Sequence, residues 1–356
     1  MWLDWVFAEV FGLDERLSAD TADNYYDRIE EALRKPEFRP RALFEQFNIE
    51  VLATTESPLD SLEHHQTIRK SGWHGRVITA YRPDPVIDPE HAGFADNLKK
   101  FGELTGEDVA SFSGYLRAHE KRRAFFRETG ATSTDHGHPT PFTADLPRSQ
   151  AERLYSRIWS GTFSSEDAEL FRGQMLTEMA RMSMGDGMIM QIHPGVHRSH
   201  NASILKRFGR DKGADIPVAT EYVQNLKPLL DRFGSEADFT LIIFTLDEAS
   251  YSRELAPLAG HYPALRLGPP WWFNDSPEGM RRFREQATET AGFYNTVGFN
   301  DDTRAFLSIP ARHDVARRMD CGFLARLVSE HRLDEDEAHE VAHALTYDLV
   351  KQAYKL

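Results

Sequence analysis

The stretch Gly187–Gly195, GMIMQIHPG, decides how the chain is read. Its body is a short apolar run bounded by glycine, the pattern of a buried strand. Its end turns polar, at His193-Pro194-Gly195. Six more runs share this form: Phe47–Thr55, Gly75–Pro83, Ala131–Gly137, Asp238–Asp247, Ala264–Phe273 and Tyr294–Asp302. Long stretches of helical composition separate them. Strands alternating with helices predict parallel pairing through right-handed crossovers. Every run ends in polar or aromatic groups, among them Thr54-Thr55, Arg82-Pro83-Asp84, Asp135-His136-Gly137 and Trp271-Trp272. A doubly wound sheet collects ligand groups mainly at one switch point, whereas a barrel collects them at every strand end. The expected fold is therefore α/β, a (β/α) barrel.

A closed barrel of this class has eight strands, and seven runs are legible here. Before Phe47 only helical spacing appears, at Trp5, Val6 and Val10 and again over Tyr25–Leu33. The expected organisation is an N-terminal helical segment at 1–46, followed by barrel strands two to eight over 47–356. Helical insertions are expected near 88–129 and 143–181, the second starting at Ser149-Gln150-Ala151-Glu152. Either a strand hides in the insertions or the chain begins after the first strand.

Composition narrows the class. The chain has 356 residues and carries 42 Lys+Arg against 56 Asp+Glu, a formal charge of −14. That charge argues against nucleic acid and anionic membranes as partners. No run approaches the ~20 apolar residues that span a bilayer. The opening residues carry Asp4 and Glu9 and no basic region, unlike a secretory signal. The single Cys321 excludes a disulfide scaffold or a cysteine zinc cluster. A cytoplasmic protein is expected.

Several groups can carry chemistry. His193, His197 and His200 are spaced for one helix face, but Pro194-Gly195 breaks any helix there. His193 alone, at a strand end, is the better candidate, the alternative being a histidine bonded to a backbone carbonyl. His136 and His138 form a His-x-His pair, either a chelating pair or part of a local turn at Gly137-His138-Pro139. Asp302 and Arg304 would share a face if the last strand continues; an acid beside a guanidinium suits proton transfer with oxyanion stabilisation. A structural Asp–Arg pair would look the same. Arg82, held extended by Pro83, offers a fork for a carboxylate, or for a loop salt bridge. Trp272, in Trp271-Trp272-Phe273, can stack on a sugar face or fill the barrel mouth. Arg312-His313-Asp314 lies in the same final region. The methionines Met175, Met179, Met182, Met188 and Met190 read as core filling. No dinucleotide fingerprint, P-loop or nucleophile elbow is present.

Taken in order, the strings Thr54-Thr55-Glu56-Ser57-Pro58-Leu59-Asp60-Ser61-Leu62, Tyr81-Arg82-Pro83-Asp84, Asp135-His136-Gly137, Gln191-Ile192-His193-Pro194-Gly195, Trp271-Trp272-Phe273-Asn274-Asp275, Asp302-Thr303-Arg304, Phe306-Leu307-Ser308 and Arg312-His313-Asp314 resemble uronate (glucuronate) isomerase, an outlying amidohydrolase-superfamily member. The resemblance runs from the first residues to about Tyr354. It implies a distorted (β/α) barrel interconverting D-glucuronate with D-fructuronate, and D-galacturonate with D-tagaturonate. It also implies one divalent metal, commonly zinc, held by a first-strand His-x-His pair and by the aspartate matching Asp302. Asp302 would double as the base moving a proton between C1 and C2, and Arg304 would stabilise the enediolate. Arg82 would receive the substrate carboxylate, with His193, Trp272 and Arg312 also lining the substrate site. The first histidine here is His64, beyond the first predicted run, so the first-strand pair has no counterpart. The resemblance therefore identifies the uncounted strand as the first, and metal binding and activity are expected to be weak or absent in this chain. A homo-oligomer is expected. The alternatives are an inactive, sugar-acid-binding barrel remnant and another metal-dependent amidohydrolase.

Overall fold

Six of the seven expected runs pair as strands in the computed structural model, which describes residues 2–210 and 212–356. They are β1 (Val51–Glu56), β2 (Arg76–Tyr81), β3 (Ser133–His136), β4 (Ile189–Ile192), β5 (Leu241–Ile243) and β6 (Leu265–Leu267). All neighbours run parallel, and their spatial order is their order in the chain. A sheet that never reverses its order has the progression of a (β/α) barrel and no switch point. β1 and β2 are in register from Val51 opposite Arg76 to Glu56 opposite Tyr81.

The seventh run departs from expectation. It makes one parallel bridge, Thr296 to Leu267, and no strand among the described residues. Gly298 explains this. It has φ +71°, and a Cβ there would press on the Leu345 carbonyl oxygen. The Phe299 amide donates to that same oxygen at 3.1 Å. A left-handed residue pressed on a neighbouring backbone turns the chain off the sheet, and only glycine adopts it without strain. Asp302 and Arg304 therefore sit in irregular chain and do not alternate along a strand.

Alternation along the strands divides two layers. Met190, Ile192, Leu241, Ile243, Leu265 and Leu267 face the helices in the main core. Ile189 and Ile242 face the other way and pack with Val297, Phe244, Ala353 and Tyr354. The expected core methionines are all buried in the first layer, Met175 and Met179 with no exposure at all.

Helices fill the crossovers. Phe94–Thr105 and Phe112–Glu128 lie between β2 and β3; Arg148–Ser160 and Ser165–Asp186 lie between β3 and β4. The second insertion's first helix starts at Arg148, one residue ahead of the expected Ser149, and follows Pro147 without a side-chain cap. The next helix, Ser165–Asp186, is capped by Ser164, whose Oγ accepts from the Asp167 amide while the Ser164 amide donates back to the Asp167 carboxylate. Three helices, Trp2–Trp5, Ala22–Leu33 and Pro40–Gln46, precede β1.

Three contacts tie the end of the fold down. Arg284, on the helix Pro277–Ala291, makes a buried two-pronged pair with Asp320 on Ile309–Ser329, at 2.6 and 2.9 Å. Tyr347 and Lys351 donate to the two oxygens of Glu50, just ahead of β1, at 2.6 and 2.9 Å. Tyr354 donates to Gln191 of β4 at 2.6 Å. No described helix is long and apolar enough to cross a membrane.

Candidate active site

The carboxyl ends of β2, β3 and β4 converge on one charged cluster. As β2 ends, the Arg82 amide donates to the Glu56 carbonyl of β1 at 3.0 Å, carrying the chain one residue past the strand. Pro83 then starts a short turn of helix with Asp84 at its head. The Arg82 guanidinium donates through Nε to Asp84 at 2.8 Å and lies 3.5 Å from Asp135. Asp135, on β3, meets His193 Nε2, just past β4, at 3.0 Å. Gly137 lets these groups close up: a Cβ there would collide with an Arg82 nitrogen and lie 3.0 Å from the His193 ring. Its amide donates to both Asp84 oxygens at 3.1 Å.

Burial opposes ionisation of Asp135, but His193 and Arg82 outweigh it and hold the carboxyl at about 2. Burial likewise works against the Asp84 anion, and Arg82 and His138 bring its carboxyl below the usual range. Both carboxylates are thus charged at neutral pH. Burial has the opposite effect on the imidazoles. It pushes His136 down to about 3 and His138 to about 4, so both rings are neutral.

The pair His136 and His138, left open between chelation and a local turn, is resolved in part by its neighbours. One ligating atom from each ring and one from Asp84 lie within 4.8 Å of one another. Neutral imidazole and carboxylate are the donors a divalent metal takes, and these three residues fit one. His197 and His200 stay outside this set; both are exposed, His197 in a two-residue strand paired antiparallel with Ile216–Pro217, and their rings meet edge-on at 5.1 Å. Asp302 is also outside it. Among the described residues no other group of three ligating side chains comes together.

The other expected site residues are placed as follows. Asp302 and Arg304 are both outside the buried core, in irregular chain. The charges of Asp135 and Asp302 both reach the Tyr354 phenol, and burial, the larger cause, joins them in pushing its ionisation up. Arg312 is buried, and its guanidinium is taken by Asp301 and Asp275 and covers the Trp2 ring at 4.4 Å. Burial, with Asp275 and Asp302 adding, outweighs Arg312 and pushes Asp301 up to about 6. Trp271 is buried edge-on to His193 at 4.9 Å between ring centres, while Trp272 is 37% exposed. Arg198 lies over both indoles at 5.9 and 5.8 Å.

Sequence reasoning passed over Asp84, Asp135, Gln191 and Tyr354 as partners in this cluster. Asp84 and Asp135 were visible as acids at strand ends beside Arg82 and His136. Gln191 and Tyr354 carried no signal, because their contact spans 163 positions of chain.

Comparison with known proteins bears on this site. The family model for glucuronate isomerase matches residues 1–354. A uronate isomerase of Phenylobacterium zucineum is 71% identical over 356 residues, covering all of this chain and 74% of the relative. The crystal structure of glucuronate isomerase from Caulobacter crescentus superposes with a TM-score of 0.97 at 64% identity, over 99% of this chain and 74% of that one. A uronate isomerase structure from Thermotoga maritima matches with a TM-score of 0.93 at 25% identity, over 99% of this chain and 78% of the other.

Proposed function

The chain belongs to the glucuronate isomerase family, and from that premise we propose how its strand-end residues carry out the aldose–ketose isomerisation of uronates. The observation that carries the activity is the 71% identity to a uronate isomerase across every residue of the chain. The reaction moves one proton between C1 and C2 of a sugar acid, and needs an anchor for the carboxylate, a base, and a group that stabilises the enediolate.

Arg82 is the anchor. Asp84 and Asp135 hold its guanidinium at the strand ends, and a uronate carboxylate adds to that network. Asp302 takes the proton from C2 of the aldose and returns it to C1 of the ketose. Arg304, two residues on, faces the charge that gathers on the enediolate oxygens. His193 is set by Asp135 through Nε2 and presents a buried Nδ1 with no protein partner, suited to a substrate hydroxyl. Trp272 offers an exposed ring for the sugar face. Arg312 acts on substrate only through its neighbours: gripped by Asp275 and Asp301, it fixes the segment leading to Asp302 and is a positioning residue.

Zinc is our assignment for the divalent metal, which would supply Lewis acidity to a sugar oxygen. Asp302 stands in no three-ligand group among the described residues, so proton transfer is the one role we assign to it. We place the reaction in the cytoplasm, in keeping with an exposed free thiol at Cys321, and expect a homo-oligomer. The test is a coupled assay on D-glucuronate and D-galacturonate with the intact chain and with Asp302→Asn. Uronate turnover lost in the variant supports the assignment; turnover retained in Asp302→Asn removes that residue as the base.

A further inference from the structure

His138 is 5% exposed, and neither of its ring nitrogens meets a hydrogen-bond partner. His136, with no exposure, spends Nε2 on the Thr134 hydroxyl at 3.0 Å and leaves Nδ1 without one. Buried polar atoms are nearly always satisfied, because an orphan forfeits the hydrogen bonds it made to water. Three such atoms in two neighbouring rings, 5.8 Å apart and perpendicular, form an unusual concentration. Asp84 faces them, and ligating atoms from all three residues fall within 4.8 Å. Asp302, the aspartate that the family resemblance assigns to the metal, is not among them.

We propose that Asp84, His136 and His138 form a divalent-cation site of their own, separate from Asp302, that takes a borderline transition cation of the zinc or cobalt class. Two imidazoles and one carboxylate select such an ion over magnesium or calcium, which want all-oxygen shells. Three protein donors leave at least one position for water. The surrounding charge accommodates the ion. Arg172, which faces His138 from the helix Ser165–Asp186, is already taken by Asp88 and Glu90 at 2.8 Å each. Arg82 is shared between Asp84 and Asp135. The bound ion would staple the loop after β2 to the loop after β3, adding to the bond from the Gly137 amide to Asp84. The site stands on these contacts and does not depend on the isomerase assignment.

The intact chain, stripped with chelator and refilled with cobalt(II), tests this by visible absorption and by elemental analysis after gel filtration. The expected result is a d–d band saturating at one cobalt per chain and displaced by zinc. His138→Ala and His136→Ala should each weaken binding by about tenfold or more, since each removes one of three ligands. Asp302→Asn should leave the band and its affinity as they are. Should an alanine variant lose its fold by circular dichroism, His138→Asn replaces it under the same readout. No cobalt band, a band indifferent to His138, or a band lost in Asp302→Asn each overturns the proposal. Because the probe is cobalt without uronate, failure of the isomerase assay leaves this result readable, and the reverse holds.

Discussion

His193 Nε2 lies 3.0 Å from a carboxylate oxygen of Asp135, joining the ends of β4 and β3 inside a cluster that also holds Arg82. The bond settles which nitrogen of the ring faces the protein. His193 donates from Nε2 to the anion, leaving Nδ1 without a partner on a ring that packs against Trp271. An aspartate so placed selects the tautomer and the orientation of the imidazole.

That role gives a first expectation. Asp135→Asn keeps the shape but allows the ring to reverse its donor and acceptor. Isomerase kcat/KM should fall by about a hundredfold, while the urea midpoint moves little. Unchanged kinetics in Asp135→Asn would show that His193 needs no orienting partner.

Arg82 gives a second. Arg82→Ala removes the fork for the uronate carboxylate and should cost ~2–4 kcal/mol of kcat/KM. Arg82→Lys should recover little of it, because an ammonium cannot span Asp84 and a substrate carboxylate in one plane. Steady-state kinetics on both variants decide the matter. Near-normal turnover in Arg82→Ala would remove this residue from the anchor.

The buried pair Arg284–Asp320 concerns stability. Side-chain exposure is 5% and 8%. Asp320→Ala strands a buried guanidinium and should cost about 3–5 kcal/mol, whereas the joint change Arg284→Met with Asp320→Leu should restore much of it. Urea unfolding of the three proteins measures this. A single variant as stable as the parent would mean that water reaches Arg284.

His313 ties stability to pH. Burial, with Arg317 and Arg312 adding to it, holds the ring down to about 4 against its ordinary 6.5. The unfolded chain therefore binds the extra proton between those values, so stability falls as pH drops through that window and is unaffected above it. Between pH 7 and pH 5 the parent should lose up to roughly 2 kcal/mol relative to His313→Gln. Identical pH profiles for the two would show that this ring titrates normally.

The strands were legible because their chemistry is local. Leu241, Ile242 and Ile243 announce a buried strand from any neighbourhood, and the strand-end signature of His193 and Arg82 survives translation into structure. The last run failed for a reason no window could contain. Gly298 looks like any turn residue until the Leu345 carbonyl is brought against it from far along the chain. Asp302 and Arg304 were paired by a spacing argument that assumed a continuing strand, and the turn at Gly298 removes that assumption. His136 and His138 were legible as a pair, but the third member, Asp84, arrives from another strand end. Arg312 was placed with the substrate site without its partners, because its two aspartates, Asp275 and Asp301, are separated from it by 37 and 11 residues.

The bonds from Tyr347 and Lys351 to Glu50 set a clock on the birth of the molecule. Tyr347 follows Glu50 by 297 residues. At ribosomal speeds of about 5–20 residues per second, roughly 15–60 s elapse between the two. For all of that time the nascent β1 has emerged without the helix that braces the residue before it, and Gln191 waits similarly for Tyr354. The early half of the chain is thus a natural client for chaperones, and slower translation of its second half should lower the soluble yield.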